Sequence, residues 1–141
     1  MIALIRIRGM VKIPEEMENT LSKRLLLQRK FACIVIEPTK ENWGMIKKVE
    51  NLVAYGEISD ETLKKLIEVR GQIIDKNKAK VSAETVVKGL NEKKKLQDFN
   101  LKPFFRLHPP RGGLKSSKDH FPAGILGHHG NEINKLIERM L

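Results

Sequence analysis

The feature that most constrains the fold is the alternation of apolar, strand-like runs with helical patterns in the first 58 residues. Three runs are rich in β-branched and other apolar residues and are predicted as strands: residues 2–8, 31–36 and 53–58. Between them, Pro14 is placed to open one helix, and apolar residues recur at helical spacing from Ile46 onwards in a second. The order β-α-β-α-β predicts an α/β (α+β sandwich) fold, with a small ferredoxin-like core whose helices lie on one face of the sheet.

The rest of the chain, residues 59–141, is predicted to be a helical and loop-rich extension of this 1–58 core. It contains patterns for short helices and for one strand at residues 104–108. Residues 109–130 are rich in Pro, Gly, Lys and His, and we expect them to form a long loop that is mobile until it binds a partner. A last helix follows, and its apolar stripe is expected to dock back on the core: Ile133, Leu136, Ile137 and Met140.

The chain is strongly basic, with 27 Lys and Arg against 17 Asp and Glu and a formal net charge of +10. Two stretches contain several basic residues and no acidic ones, residues 21–36 and residues 102–118. Such stretches attract polyanions, so the charge pattern favours a nucleic acid as the partner. The alternative is an ordinary lysine-rich solvated surface.

Several function classes lack their sequence signals. No apolar run approaches the roughly 18 residues that a membrane span needs. The single cysteine, Cys33, excludes an internal disulfide framework and a cysteine-based zinc site. The common nucleotide-binding, hydrolase and metalloprotease motifs are absent. We therefore expect a soluble intracellular protein without cofactor, metal site, catalysis, membrane partner or small-molecule substrate.

Two motifs suit contact with nucleic acid. The segment Arg111-Gly112-Gly113 places backbone N–H groups beside a cation, and Lys115 follows two residues later. Trp43, in the first turn of the predicted second helix, is either a buried core residue or a platform on which a base or ribose stacks. Its neighbour Gly44 costs about 1 kcal/mol relative to Ala inside a helix, which the close approach of another backbone would explain.

Three segments carry a resemblance to a known family: IRIRG at residues 5–9, WGMIKKV at residues 43–49 and RLHPPRGG at residues 106–113. Together they resemble the L-thirty family of large-subunit ribosomal proteins, in its longer archaeal and eukaryotic form (L-seven in eukaryotes). The resemblance covers essentially the whole chain. In the second segment the family commonly has an Arg at the place of Trp43.

The resemblance implies a structural constituent of the large ribosomal subunit, a cytoplasmic ribonucleoprotein component in translation. Such a protein binds and stabilises ribosomal RNA and contacts neighbouring ribosomal proteins, without cofactor or catalysis. The Lys and Arg residues of the expected site would neutralise phosphates, Trp43 would stack, and the glycines with His108 would shape close approach. The expected RNA-binding residues are Arg6, Arg8, Lys12, Trp43, Gly44, Lys47, Lys48, Arg106, His108, Arg111, Gly112, Gly113, Lys115 and Lys118.

Two alternatives from other classes remain open at this point. The four His residues all lie between positions 108 and 129, an arrangement that also suits an RNA-processing enzyme using them for acid–base chemistry. A ferredoxin-like core is also compatible with a ligand-binding regulatory domain. In the first strand, the alternation of residues 5–8 places Arg6 and Arg8 on one face, and we expect both to point away from the core.

Overall fold

The computed structural model of the chain describes residues 1–9, 11–78, 81–114 and 116–141. In these ranges the sheet contains six strands, in the order β4-β2-β1-β3-β6-β5. The strands are β1 (Ile2–Arg6), β2 (Ala32–Ile36), β3 (Val53–Glu57), β4 (Phe105–Arg106), β5 (Ser116–His120) and β6 (Gly124–His128). The α-helices are α1 (Glu15–Asn19), α2 (Lys40–Lys48), α3 (Asp60–Arg70), α4 (Ala83–Asn91) and α5 (Ile133–Met140). A π-helical turn (Thr20–Arg24) continues α1, and short 3-10 turns lie at Leu96–Phe99 and Gly130–Glu132.

The first three strands and their helical connections form the core predicted from the sequence. β1 lies in the middle and pairs antiparallel with both neighbours, with Leu4 opposite Ile34 of β2 and opposite Tyr55 of β3. β2 and β3 therefore run parallel to each other on the two sides of β1. Each is reached through a helical connection, which confirms the β-α-β-α-β order and the mixed α/β class.

Helices cover both faces of the sheet. Successive side chains of β1 point to opposite faces, and each set is buried under helices. On one face, Leu4 shares a hydrophobic cluster with Leu21 of the π-helical turn and Ile46 of α2. On the other face, Ile5 shares a cluster with Leu66 of α3 and with residues of α4 and α5. The helices of residues 1–58 thus lie on one face, as predicted, and the extension supplies the layer on the opposite face.

The C-terminal helix docks on the core as predicted. Its four stripe residues are buried, with exposed fractions of 0 to 5%, and they belong to the cluster that contains Ala3 and Ile5 of β1: Ile133, Leu136, Ile137 and Met140. α5 also contacts β3 and α3. In the described part of the chain, no helix combines the length and the apolar content needed to cross a membrane.

The expected long loop over residues 109–130 is wrong as a description of this segment. It contains β5 and β6, and β6 pairs in parallel with β3, with Gly127 opposite Ala54. Ile125 and Leu126 of β6 are almost fully buried. Two apolar residues among Gly, His and Lys are too short a pattern to predict a strand, but the free edge of β3 gives them a pairing partner and a buried position. The predicted strand at 104–108 shortens to β4, which lies between Pro103 and Pro109.

Candidate nucleic-acid interface

The two acid-free stretches of the sequence meet at one edge of the sheet. β4 pairs antiparallel with β2, and Arg106 lies opposite Ala32. This pairing brings Arg29, Lys30 and Arg106 around a shallow cavity of about 170 Å³, and none of its described lining residues is acidic. All three side chains are exposed. We call these three residues the β2–β4 basic edge; their unopposed positive charge favours a polyanion.

Two cations of the β2–β4 basic edge, Lys30 and Arg106, lie over aromatic rings. The Arg106 guanidinium carbon lies 5.4 Å from the ring centroid of Phe104, and the Lys30 ammonium lies 5.0 Å from that of Phe31. Cation–π contacts of this kind hold a long side chain without neutralising its charge. Arg106 was among the predicted RNA-binding residues, whereas Arg29 and Lys30 were not. The only sequence signal for those two is the acid-free stretch itself.

Arg6 is not a surface residue, and the expectation that it points away from the core is wrong. Its side chain is fully buried, and its guanidinium donates to the carbonyls of Leu27 (2.7 Å) and Arg8 (2.9 Å) and to the Glu18 carboxylate (2.9 Å). A further bond reaches the carbonyl of Gly9 (3.3 Å). With its donors engaged inside the protein, Arg6 does not fit the role of a phosphate ligand.

The ion pair between Arg6 and Glu18 connects the end of β1 to α1, across the loop that joins them. Arg6 and Ser22 both donate to Glu18, with Ser22 Oγ at 2.6 Å, and these bonds lower the pKa of the Glu18 carboxyl, Arg6 having the larger effect. Because Arg6 also binds the carbonyls of Arg8 and Gly9 near the start of the loop, it positions the loop that carries Arg8 and Lys12. Both of those side chains are exposed.

The predicted residues of α2 share one exposed face. Gly44, Lys47 and Lys48 are separated by three and four positions, so they are neighbours on the helix surface. A Cβ added at Gly44 would meet no atom within 4 Å, so no close contact of the described protein explains this glycine. Lys48 donates to Glu16 of α1, while Lys47 is exposed. The helix begins at a well-formed cap, where the Thr39 hydroxyl accepts from the Asn42 N–H at 3.2 Å.

Trp43 is half-buried and packs on the cluster beneath α2. Its ring lies parallel to that of His128 and edge-on to that of Tyr55. Trp43 is therefore mainly a packing residue, as one of the two interpretations predicted. The stacking of a base on its exposed part stays a prediction.

The segment from His108 to Gly113 is attached to the C-terminal helix. The His108 ring contacts the Leu141 carbonyl, and the Arg111 N–H donates to the Arg139 carbonyl at 3.0 Å. In return, the Arg139 guanidinium donates to the carbonyls of Arg111 (2.9 Å) and Gly113. Arg139 therefore fixes the backbone here while the Arg111 side chain is exposed. Sequence reasoning missed Arg139, whose only signal was a cation in the last helical turn.

Of the remaining predicted residues, the structure describes Gly112, Gly113 and Lys118. Gly112 and Gly113 both have positive φ angles, +81° and +82°, which a residue with a side chain adopts only with strain. Lys118 lies on β5 and is exposed. Lys115 lies outside the described residues.

The four His residues do not form one site. His120 contacts the Asn51 side chain at 2.8 Å, His128 packs on Trp43, and His129 is buried with its ring against the Ile125 carbonyl. His108 contacts the carbonyl of the last residue, Leu141, as described above. Among the described residues, no group of three or more His, Cys, Asp or Glu is placed to hold a metal ion.

Comparison with known proteins identifies the family to which the chain belongs. The family described as ribosomal protein L30p/L7e matches residues 2–53. The large ribosomal subunit protein uL30 of Archaeoglobus fulgidus is 42% identical over 154 aligned positions, which cover 99% of both chains. The protein of the same name from Desulfurococcus amylolyticus is 43% identical over 160 positions, covering 99% of this chain and 97% of the relative. That from Pyrobaculum aerophilum is 37% identical over 166 positions, covering 99% and 93%.

These identities extend over nearly the full length of each relative, so they include the extension as well as the core. They confirm the resemblance drawn from the three sequence segments, and they set aside the enzyme and regulatory-domain alternatives. The chain belongs to the ribosomal protein L30p/L7e family and is a structural ribosomal protein rather than an enzyme.

Proposed function

We propose that the chain is a constituent of the large ribosomal subunit that binds and stabilises ribosomal RNA through its exposed cations. The observation that carries this proposal is the β2–β4 basic edge, where two acid-free stretches of sequence meet around one cavity. Family membership supports ribosomal RNA, within the ribosome, as the RNA that the chain binds. The site of action is accordingly the cytoplasmic ribosome, with neighbouring ribosomal proteins as further partners.

The proposed contact surface extends from the basic edge to exposed cations elsewhere in the chain. Arg8 and Lys12 lie on the loop after β1, Lys47 and Lys48 lie on α2, and Arg111 and Lys118 follow β4. Each neutralises phosphate charge and releases counterions, which makes the affinity depend on salt. Arg6 acts through its neighbours by holding the first of these loops in place.

The test compares two double variants with the same change in net charge. Lys30→Gln/Arg106→Gln removes two charges of the basic edge, and Lys76→Gln/Lys78→Gln removes two exposed lysines outside it. Binding to a large-subunit ribosomal RNA fragment is measured by filter retention across a salt series. We expect the first variant to weaken binding and to reduce the slope of log affinity against log salt by about 1 to 2 units.

The control variant should bind with nearly the wild-type slope. Equal losses in both variants would mean that only net charge matters, and a flat salt dependence of the wild type would exclude an electrostatic contact with RNA. Co-sedimentation of the tagged wild-type protein with large subunits in a cell extract tests the assignment to that particle independently of the variants.

A further inference from the structure

β4 covers only part of the outer edge of β2. The Leu107 N–H donates to the Phe31 carbonyl at 3.1 Å, and Cys33 pairs with Phe105. In an antiparallel ladder the residues that bond to one neighbour alternate, so Val35 is the next whose N–H and C=O point to this edge. The residue opposite Val35 in the same register is Pro103, which has no N–H to donate. The pairing with β4 stops there, and in the described part of the chain the rest of this edge has no strand beside it.

A groove of about 500 Å³ lies along this open edge, and residues 34–37 form part of its lining. Leu25 on one side belongs to the hydrophobic cluster of one face of the sheet, and Leu90 and Leu96 belong to the cluster of the other. The strand edge therefore lies between two apolar walls. An added strand directs alternate side chains to the two faces, so each wall can receive one set.

The charge of the groove selects among possible strands. Of its described lining residues, four are cationic and exposed (Arg24, Lys93, Lys94 and Lys95), and Glu37 alone is acidic. A ligand with acidic side chains is attracted to these cations. A basic strand is repelled, and so is the same edge of a second copy, which carries the same cations.

We propose that this groove binds an extended acidic segment of a neighbouring protein, which adds to the sheet as a strand along β2. The backbone groups at Val35 supply the first ladder bonds, the two leucine walls hold the apolar side chains, and the cations meet the carboxylates. This proposal goes beyond RNA binding and does not depend on it.

The observations favour a peptide over a nucleic acid at this place. The described lining contains no aromatic ring on which a base could stack. Its open edge offers backbone N–H and C=O groups at the spacing of an extended peptide. Lysine and proline beside a free edge also prevent unwanted association. Here the lysines repel basic strands and attract an acidic one.

The probe is a fluorescein-labelled peptide of alternating Glu and Val, titrated with the full chain and followed by anisotropy. Three comparison ligands are used: a Lys–Val peptide, a Glu–Val peptide with N-methylated valines, and an oligouridine. We expect the Glu–Val peptide to bind, while the Lys–Val and N-methylated peptides do not. Amide NMR signals of residues 34–37 should shift on binding.

A pair of variants tests the charge. Lys94→Gln/Lys95→Gln should weaken binding of the Glu–Val peptide roughly three- to tenfold, as expected for two exposed ion pairs. Lys76→Gln/Lys78→Gln, which changes two lysines that do not line the groove, should leave the affinity unchanged. Thermal melting of both variants checks that the fold is retained.

Three results would overturn the proposal: no binding of the Glu–Val peptide, equal binding of the N-methylated peptide, or amide shifts confined to other residues. If the oligouridine shifts the amides of residues 34–37 and competes with the peptide, the groove belongs to the RNA surface instead. None of these results bears on the Lys30→Gln/Arg106→Gln test of RNA binding, so the two proposals fail independently.

Discussion

The ring of Trp43 lies parallel to the ring of His128, with an interplanar angle of 3° and centroids 6.4 Å apart. Trp43 belongs to α2 of the core, whereas His128 is the last residue of β6 in the extension. Tyr55 of β3 meets both rings edge-on, at 6.0 Å and 5.2 Å. This aromatic group therefore joins the core to a segment that the sequence places in a loop.

A double-mutant cycle measures the coupling energy between Trp43 and His128. We expect Trp43→Ala and His128→Ala to be coupled by about 0.5 to 1.5 kcal/mol in the free energy of unfolding, because each ring loses its partner in either single variant. The measurement is urea unfolding followed by circular dichroism. A cycle of Trp43→Ala with His120→Ala is the control, since His120 contacts Asn51 instead. Additive effects in the first cycle would contradict an energetic link between the two rings.

Arg6 and Arg8 lie two residues apart but should respond differently to substitution. Arg6→Met removes the guanidinium that donates to the Leu27 carbonyl and to one oxygen of the Glu18 carboxylate, and should lower the free energy of unfolding by about 2 to 4 kcal/mol. Arg8→Met changes an exposed side chain, so it should reduce RNA affinity with little change in melting temperature. Calorimetry and filter binding separate the two effects. Similar stability losses in both variants would contradict the buried role of Arg6.

The pair formed by Arg6 and Glu18 also predicts a dependence of stability on pH. The pKa of Glu18 is lowered in the folded protein from its ordinary value of 4.5, chiefly by the hydrogen bond from Arg6. The ionised carboxylate thus stabilises the fold above pH 4.5, and this contribution is lost as the pH falls through the lowered folded-state pKa. Glu18→Gln should flatten this acid-side loss in urea titrations. Glu15→Gln, an exposed neighbour on α1, should leave it unchanged.

The core was predictable because its signals are local and repeated. The apolar runs of β1 and β2 and the stripe of α5 each follow from the pattern of apolar residues alone. β6 was not predictable, because its place depends on pairing with β3, some 70 residues earlier in the chain. Patterns within a window cannot report such a partner.

The surface was predictable in composition but not in arrangement. The sequence identifies the two acid-free stretches, whereas only the β2–β4 pairing shows that Arg29 and Lys30 share a cavity with Arg106. The prediction that Arg6 points away from the core was wrong for a related reason. Alternation along β1 shows that its side chain lies on the opposite face from Ile5 and Ile7, but that face is covered by α1 and α2, so the arginine is buried there.

Arg139 and Arg111 offer a test of how the segment at residues 111–113 is held. Arg139→Ala removes the donor to two carbonyls of this segment and should make its amides exchange faster with solvent. Arg111→Ala alters only an exposed side chain, so exchange should stay as in the wild type while RNA binding weakens. In both variants the amides of β6 should remain protected by their pairing with β3. Fast exchange of β6 in the free wild-type protein would contradict its place in the sheet.

Gly44 separates the requirements of folding from those of binding. A methyl group at this position meets no atom within 4 Å apart from its chain neighbours and the backbone of its own helix, and Ala is favoured over Gly inside a helix by about 1 kcal/mol. Gly44→Ala should therefore raise the free energy of unfolding by about that amount. If the RNA backbone comes close to α2 beside Lys47, the added methyl group obstructs that approach and Gly44→Ala weakens RNA binding. The close approach of RNA would then explain why a glycine stands here although it makes the free helix less stable.

A second glycine supplies the contrast for this prediction. At Gly56 an added Cβ would lie 2.3 Å from the Gly130 carbonyl oxygen, so Gly56→Ala should destabilise the fold by about 1 to 3 kcal/mol through overpacking. Urea unfolding and RNA filter binding are measured on both variants. A Gly44→Ala protein that is more stable and weaker in RNA binding would show that this glycine serves the interface. If it is more stable and binds RNA as tightly as the wild type, α2 does not approach the RNA backbone at that residue.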